Sequence, residues 1–310
     1  MHNGMEKGSW VPIVTPFTSK NEIDFQSLTE LIEWHIAEGT DGIVCLGTTG
    51  EAPTLSKEEK LQVIQTCLQV IKGRIPLIVG TGTNNTAESV AFTKVVKDLQ
   101  VDGALVIFPY YNKPSFKGCL EHFRVISKVG VPIMLYYNPG RSGFKLPLEI
   151  FIQMEKEKLI HSIKDSSSEM QFSKQLRKSV DLPIFSGDDI YNVPILKEGA
   201  TGIVGVVTNL FPKEWKEVVN LFLMGKFKEG SILASRFDKL LTALSLEVNP
   251  TTVKYTLSLM GKCSPYLRLP LVEPEDKTKE RIQKALTELM KPTFSKGHVR
   301  CDEKLTEISS

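Results

Sequence analysis

The stretch GIVCLGTTGEAPTLSKEEKLQVIQTCLQVI, residues 42–71, contains the unit from which most of the chain is built. It opens with an apolar run that favours a buried strand. The turn GTTGE (47–51) follows, and SKEEK from Ser56 places a hydroxyl before acidic residues, as at the start of a helix. Apolar residues then recur at three- and four-residue spacing, which indicates an amphipathic helix. The stretch therefore predicts a strand followed by a helix.

Similar apolar runs, bounded by Pro or Gly, recur along the chain, and longer amphipathic stretches separate them. The predicted strands are 10–16, 42–46, 76–80, 103–107, 132–136, 159–164, 183–186 and 202–206. A further helix start is expected at Thr86, in TAES. This alternation is typical of a parallel sheet, either open and doubly wound or closed into a barrel. Eight units favour an α/β fold, the (β/α)8 TIM barrel.

The strand pattern stops after about Met224. Three apolar helical stretches follow, near 226–246, 250–260 and 274–290. We therefore expect a catalytic barrel over residues 8–224 and a small C-terminal helical region over residues 225–290. Residues 291–310 are polar and lack periodicity, which predicts a disordered tail.

The charge of the chain is nearly balanced, with 38 basic and 36 acidic residues. It creates no overall field that would attract nucleic acid or an anionic membrane. The apolar runs are far shorter than the ~20 residues of a membrane helix. Residues 1–10 also lack the apolar segment of a signal peptide. We therefore expect a cytoplasmic protein that binds neither nucleic acid nor membrane.

The metal-ligating residue types are scattered. The five cysteines form no CxxC pair and are odd in number, which argues against a disulfide framework and a zinc site. The five histidines form no HxH or HxxxH pair, which disfavours a metal-dependent enzyme. We expect no metal.

Polar residues follow the predicted strands at the positions where TIM barrels carry their active sites. The segments are GTTGE (47–51), PYYNKP (109–114), YYNPGRSG (136–143), KDSS (164–167) and SGDD (186–189). Glycines, hydroxyls, tyrosines, one lysine and one arginine are therefore expected to converge on one mouth of the barrel.

Lys164 ends an otherwise apolar strand. Desolvation would lower its pKa and free the amine that attacks a carbonyl group, although a lysine here can also be a solvated strand cap. Tyr136 ends the fifth predicted strand, where a phenol could shuttle protons or merely fill the rim.

Three further segments of the mouth carry candidate groups. Thr48 and Thr49, in a glycine-flanked turn, could relay protons or hold a carboxylate. The planar guanidinium of Arg141 could bind a carboxylate through two hydrogen bonds, but it could equally form a surface ion pair. In SGDD, Gly187 would permit close approach of a substrate and Asp189 would cap the next helix, whereas two carboxylates without histidine make a poor metal site.

Together with NP (249–250) and LRLPL (267–271), these motifs resemble the dihydrodipicolinate synthase and N-acetylneuraminate lyase family, from about Gly8 to Met290. The resemblance implies that pyruvate forms an imine on Lys164, without metal or cofactor. It also implies that Tyr136 is the catalytic tyrosine. Tyr137 is kept in reserve, because it occupies the motif's usual asparagine position.

The resemblance assigns further residues by position. Thr49 matches a proton-relay threonine, and Thr48 matches its neighbour that holds the pyruvate carboxylate. Gly187 and Val204 match backbone positions that line the pyruvate site. Tyr111 matches a tyrosine that reaches into a neighbouring subunit, which implies a homotetramer built as a dimer of dimers.

Arg141 distinguishes branches of the family. Synthase members carry an arginine here that binds the carboxylate of L-aspartate 4-semialdehyde, on the diaminopimelate route to L-lysine, and neuraminate lyases lack it. The nearest rival function is that of another pyruvate aldolase, acting on neuraminate or on a 2-keto-3-deoxy sugar acid. More distant rivals are a non-catalytic barrel that binds a keto acid and a phosphate-binding barrel that uses GATGIVG (199–205).

Some residues match a site at which L-lysine inhibits members of this family. Asn84, Glu88 and Tyr110 match the family's inhibitory site. Lys57 and Lys60 stand where inhibited enzymes often have histidines, and their charge would repel a cationic effector. We therefore expect weak or absent inhibition by L-lysine.

Overall fold

The structure of the protein, a computed structural model, describes residues 5–291. Eight parallel strands form a closed barrel in chain order, and β8 pairs with β1. The strands are β1 Gly8–Pro12, β2 Gly42–Cys45, β3 Leu77–Gly80, β4 Gly103–Ile107, β5 Ile133–Tyr137, β6 Ser162–Asp165, β7 Ile184–Ser186 and β8 Gly202–Val204. The predicted (β/α)8 TIM barrel is confirmed, and an open, doubly wound sheet is ruled out.

Helices connect the strands and continue after the last one. Those within and directly after the barrel are α1 Phe25–Ala37, α2 Lys57–Ile71, α3 Thr86–Asp98, α4 Phe116–Ser127, α5 Pro139–Ser142, α6 Leu148–Lys156, α7 Met170–Ser179, α8 Asn192–Lys197 and α9 Pro212–Leu223. The C-terminal helices are α10 Phe227–Ser235, α11 Asp238–Leu244, α12 Thr251–Leu259 and α13 Asp276–Met290. No helix within residues 5–291 combines the length and apolar character that crossing a bilayer requires.

Several predicted boundaries differ from the structure. The first strand covers 8–12 rather than 10–16, and the sixth begins at Ser162 rather than at 159. The eighth strand ends at Val204, and a 3₁₀ turn follows over Val206–Asn209. The flanking residues are apolar because they are buried too, as Leu159 is. An apolar run therefore marks burial and does not by itself locate strand pairing.

The predicted helix starts are partly correct. Ser56 caps α2 through a reciprocal capping box with Glu59, as the sequence indicates. At α3 the cap is Asn85 rather than Thr86, since the Asn85 side chain accepts a hydrogen bond from the Ala87 amide at 2.9 Å. The Thr86 hydroxyl instead lies 2.9 Å from Nδ1 of His122.

The C-terminal region contains four helices where three stretches were predicted. The stretch 226–246 is interrupted between Ser235 and Asp238, which separates α10 from α11. The predicted tail, apart from Lys291, lies outside the described residues.

The inside of the barrel is filled by large side chains. Trp10 is fully buried there with Phe185, Val204 and five further apolar residues. Gly42 makes room for Trp10, because a Cβ at Gly42 would lie 2.4 Å from the indole ring. Gly202, in the GATGIVG segment, is needed where β8 meets β1, since its Cβ would lie 2.1 Å from the Gly8 carbonyl oxygen. This segment therefore serves close strand packing.

A buried ion pair joins the C-terminal region to the barrel. Lys254 of α12 is fully buried and donates from Nζ to Oε1 of Glu51 at 2.6 Å and to the Tyr266 carbonyl oxygen at 2.8 Å. Its ammonium also lies 4.0 Å from the centre of the Phe17 ring. Burial lowers the pKa of Lys254, and the charge of Glu51 opposes this. Because Glu51 belongs to the GTTGE turn, the ion pair fixes that turn to α12.

We expect Lys254→Met to lower the free energy of unfolding by about 3–5 kcal/mol, because it leaves the Glu51 carboxylate buried without its partner. Urea denaturation followed by circular dichroism measures this change. The double variant Glu51→Gln/Lys254→Met removes both charges and should recover most of the loss. Lys239→Met, which breaks an exposed pair with Glu288, is the matched control and should change stability little. Equal effects of the two lysine variants would contradict the role of the buried pair.

Candidate active site

Lys164 and Tyr136 face each other across neighbouring strands. The register of β5 and β6 pairs Tyr136 with Lys164, so both side chains emerge on the same face of the sheet. Nζ of Lys164 lies 4.6 Å from the centre of the Tyr136 ring. Both side chains are buried at the mouth, and only 6% of the surface of Lys164 is exposed. The structure thus brings together the predicted nucleophile and the predicted phenol.

The Lys164 amine is buried without a carboxylate partner. Within residues 5–291 it forms no ion pair with a carboxylate. Burial lowers its pKa, Arg141 lowers it further, and the charges of Tyr136 and Asp189 oppose the change without cancelling it. A free amine is therefore available at lower pH than for an ordinary lysine.

The pKa of the Tyr136 phenol is also lowered. Burial raises the pKa of this phenol, but the charges of Lys164 and Arg141, together with hydrogen bonds to Asn138 and Thr48, leave the pKa below its ordinary value. Nδ2 of Asn138 supports this by donating a hydrogen bond to the Tyr136 oxygen at 3.0 Å. The phenol proton is thus left available for transfer.

Tyr137 faces away from the amine. Its ring contacts Phe108, Phe151 and Phe172 in the layer between barrel and helices. Its hydroxyl oxygen accepts a hydrogen bond from the Leu146 amide at 3.2 Å. Of the two tyrosines, the geometry therefore favours Tyr136 for chemistry at Lys164.

The turn that carries Thr48 and Thr49 is connected to the C-terminal region through Asn249. Nδ2 of Asn249 donates a hydrogen bond to the Thr49 hydroxyl oxygen at 2.9 Å. The backbone carbonyl oxygen of Asn249 accepts a hydrogen bond from Nη2 of Arg141 at 3.4 Å. Sequence reasoning treated Asn249 as part of a motif and gave it no role. The structure makes it the link between the threonine turn and the arginine.

Two cavities meet at this mouth. The first, the β2–β4 cavity, has a volume of about 290 Å³, and its walls include Thr48, Lys60, Thr81, Tyr110, Tyr136 and Arg141. The second, the β6–β7 cavity, has a volume of about 400 Å³, and its walls include Tyr136, Arg141, Ser166, Gly187, Asp189 and Asn249. Tyr136 and Arg141 therefore line both. Arg141 forms no ion pair within the described chain, which leaves its guanidinium available to a ligand.

The prediction that Asp189 caps a helix is wrong. Asp188 caps the following 3₁₀ turn, where its Oδ1 accepts from the Ile190 amide at 3.2 Å. Asp189 instead lies partly buried and accepts from the Val207 amide at 2.8 Å and from the Asn192 side chain at 3.1 Å. Burial raises the pKa of Asp189 to about 7. No feature of the sequence distinguished which aspartate of the pair turns inward.

Gly187 lies beside Lys164, and Val204 lies in the barrel interior. A Cβ at Gly187 would lie 2.6 Å from Cε of Lys164, so this glycine makes room for the lysine side chain. Val204 is fully buried in the interior cluster that includes Tyr136.

Tyr111 lies outside the site of its own chain. It is 88% exposed, and its backbone adopts a left-handed conformation with φ of 70°. One chain alone therefore brings together Lys164, Tyr136 and the threonine turn, but not Tyr111.

Two of the residues predicted at the effector site border the β2–β4 cavity. Lys60 and Tyr110 line it, and Nζ of Lys60 lies 6.0 Å from the centre of the Phe92 ring. Burial lowers the pKa of Lys60, and the charge of Glu88 opposes the change. The backbone carbonyl oxygen of Asn84 accepts a hydrogen bond from the Asn112 side chain. Lys57 is exposed. Weak or absent inhibition by L-lysine stays a prediction.

The arrangement suits addition of an amine to a carbonyl group. An unpaired buried amine is the nucleophile, a phenol of lowered pKa stands beside it, and a guanidinium is free to bind a carboxylate. These are the components of imine formation with a small keto acid.

Several known proteins are similar in sequence to this chain. The sequence profile of the dihydrodipicolinate synthetase family matches residues 5–289. The 4-hydroxy-tetrahydrodipicolinate synthase of Thermodesulfovibrio yellowstonii is 40% identical over 285 residues, which are 91% of this chain and 98% of that protein. The 4-hydroxy-tetrahydrodipicolinate synthase 1 of Halalkalibacterium halodurans is 38% identical over 88% of this chain and 94% of its own.

Solved structures agree with the sequence comparison. The dihydrodipicolinate synthase of Aquifex aeolicus superposes with a TM-score of 0.88 at 35% identity, over 91% of this chain and 97% of that one. The dihydrodipicolinate synthase of Thermotoga maritima gives a TM-score of 0.89 at 32% identity, over 92% and 99%. Sequence, fold and the lysine-centred mouth therefore lead to one conclusion: the chain belongs to the dihydrodipicolinate synthetase family.

Proposed function

We propose that this chain catalyses the 4-hydroxy-tetrahydrodipicolinate synthase reaction, in which pyruvate condenses with L-aspartate 4-semialdehyde. The observation that carries the proposal is the buried, unpaired Lys164 amine beside Tyr136. Family membership supports it, since relatives of this name match nearly the whole chain. The reaction would serve the diaminopimelate route to L-lysine.

The first half of the reaction takes place on pyruvate. The Lys164 amine adds to the C2 carbonyl of pyruvate, and the resulting carbinolamine loses water to give an imine. Tyr136 moves protons to and from the oxygen that leaves as water, with Thr49 as its relay partner. Loss of a C3 proton then gives an enamine. The lysine thus stores pyruvate as a nucleophile, so that the chemistry needs no metal or cofactor.

The second half joins the aldehyde. The enamine electron pair forms the carbon–carbon bond, the aldehyde π pair moves to its oxygen, and that oxygen takes a proton while the iminium re-forms. The amino group of the former semialdehyde then adds to the iminium carbon and releases Lys164. Thr48 holds the pyruvate carboxylate, and Arg141 holds the carboxylate of the semialdehyde.

We also propose that the active protein is a cytoplasmic homotetramer built as a dimer of dimers. The exposure of Tyr111 supports this assembly, because its side chain is free to enter a neighbouring subunit and complete the relay with Thr49 and Tyr136. Gly187 and Val204, which lie next to the lysine strand and in the barrel interior, are proposed to border the pyruvate site.

Borohydride reduction in the presence of pyruvate tests the proposed function. We expect one covalent adduct, located on Lys164 by peptide mass mapping, and turnover with aspartate semialdehyde but not with neuraminate. Lys254, the other deeply buried lysine, is an internal control and should stay unmodified, because its amine is held by Glu51. Absence of any adduct, or an adduct on another lysine, would contradict the proposal. An adduct with turnover of neuraminate would favour a sugar-acid aldolase instead.

Tyr136→Phe should slow formation of the pyruvate adduct by about a hundredfold or more, the effect of losing a positioned proton donor. Because the negative charge of Tyr136 raises the pKa of Lys164, the pH midpoint of adduct formation should fall or stay constant in this variant. Stopped-flow trapping across pH measures both quantities. Tyr137→Phe is the matched control and should keep nearly the native rate. The reverse pattern would make Tyr137 the catalytic tyrosine.

Arg141→Met should lower kcat/KM for aspartate semialdehyde by roughly 10- to 100-fold, because a charged hydrogen bond to its carboxylate is lost. The rate of pyruvate trapping should fall less, by only as much as loss of the Arg141 charge raises the pKa of Lys164 and Tyr136. Steady-state kinetics with each substrate varied in turn separates the two effects. Arg177→Met, which removes bonds to the carbonyl oxygens of Gly199 and Val180, is the control. Equal losses for both substrates would contradict a role for Arg141 in choosing the aldehyde.

A further inference from the structure

The hydroxyl of Ser166 is buried at the mouth of the barrel, without a hydrogen-bond partner among residues 5–291. Ser166 follows β6 directly, and only 5% of its surface is exposed. Its Oγ forms no hydrogen bond within the described part of the chain. The residue nevertheless lines the β6–β7 cavity. A buried hydroxyl without a partner is destabilising, so a ligand atom that satisfies it gains binding energy.

This hydroxyl lies beside the reactive lysine. A Cβ placed on Gly187 would lie 2.2 Å from Oγ of Ser166 and 2.6 Å from Cε of Lys164. The two side chains therefore meet at the same point of the cavity wall. A molecule in the β6–β7 cavity that reaches a carbon attached to the Lys164 nitrogen therefore comes close to the Ser166 hydroxyl.

The backbone around Ser166 is fixed. Its own amide donates to the Tyr137 carbonyl oxygen at 2.8 Å, and the Gly187 amide donates to the Asp165 carbonyl oxygen at 2.8 Å. The amide of Ser167 donates to Oδ1 of Asp165 at 2.9 Å. The backbone that carries the hydroxyl is thus held in place before any ligand binds, which favours efficient electrostatic stabilisation.

The residues that line each cavity indicate which substrate the Ser166 hydroxyl contacts. Ser166 lines the β6–β7 cavity together with Arg141, to which we assign the carboxylate of the aldehyde. Thr48, to which we assign the pyruvate carboxylate, lines the β2–β4 cavity instead. Arg141 borders both cavities, whereas Thr48 is absent from the wall of the β6–β7 cavity. The hydroxyl therefore lies on the side away from the pyruvate carboxylate, where we place the aldehyde.

We propose that Ser166 binds the aldehyde oxygen of the second substrate and is a further catalytic residue of this site. Its hydroxyl donates a hydrogen bond to that oxygen as the carbon–carbon bond forms and negative charge collects there. The inference rests on the proposed function. It adds a residue that sequence reasoning quoted only as part of KDSS, without a role.

Ser166→Ala tests the proposal in a two-step experiment. The pyruvate adduct is formed first and its rate is measured by borohydride trapping, and aspartate semialdehyde is then added in a single turnover. We expect trapping within about twofold of the native rate and a semialdehyde step slower by about 10- to 100-fold, as for loss of a hydrogen bond to a charged group. Ser166→Thr keeps a hydroxyl and should recover much of the rate.

Ser162→Ala is the matched control. Ser162 begins β6, the strand that Ser166 follows, is fully buried, and also has an unpartnered hydroxyl within residues 5–291, but it does not line either cavity. It should leave both steps unchanged. A native semialdehyde step in folded Ser166→Ala would overturn the proposal, as would equal slowing of both steps. If the native protein itself fails to trap pyruvate or to use the semialdehyde, the proposed function fails, and that result is separate from any effect at Ser166.

Discussion

The burial of the Lys164 amine without a carboxylate partner is the constraint on which the site depends. A charged amine is costly to bury, so the surroundings favour its neutral form, which is also the nucleophilic form. Pairing of Tyr136 with Lys164 across β5 and β6 places the phenol against this amine without any mobile loop. Gly187 then provides the space that the lysine side chain occupies.

The threonine turn depends on a region distant in sequence. Glu51 is held by Lys254 of α12, and Thr49 accepts a hydrogen bond from Asn249 just before that helix. The C-terminal helices thus stabilise the turn that completes the mouth, and Arg141 is bonded to the same Asn249. The barrel supplies the lysine and the phenol, whereas the C-terminal region orients the groups around them.

Sequence alone predicted the barrel and the residues at its mouth, because eight apolar runs alternate with helical stretches and each polar segment follows a strand. It could not predict the long-range contacts of Asn249 and Lys254, which arise from folding rather than from local pattern. It also misassigned Asp189, since adjacent aspartates look alike until the turn after β7 directs one inward. The sequence did not point to the Ser166 hydroxyl either, because its lack of a hydrogen-bond partner becomes visible only in the folded structure.

The pH dependence of the reactivity of the Lys164 amine tests most directly whether this side chain is held as a free amine. Brief labelling with an amine-selective acylating reagent across a pH series, followed by peptide mass mapping, gives the protonation midpoint of this one side chain. We predict a midpoint below the ordinary lysine value of about 10.4, because burial disfavours the ammonium form. A midpoint at or above that value would mean that Lys164 is not a poised free amine, and would contradict the central claim.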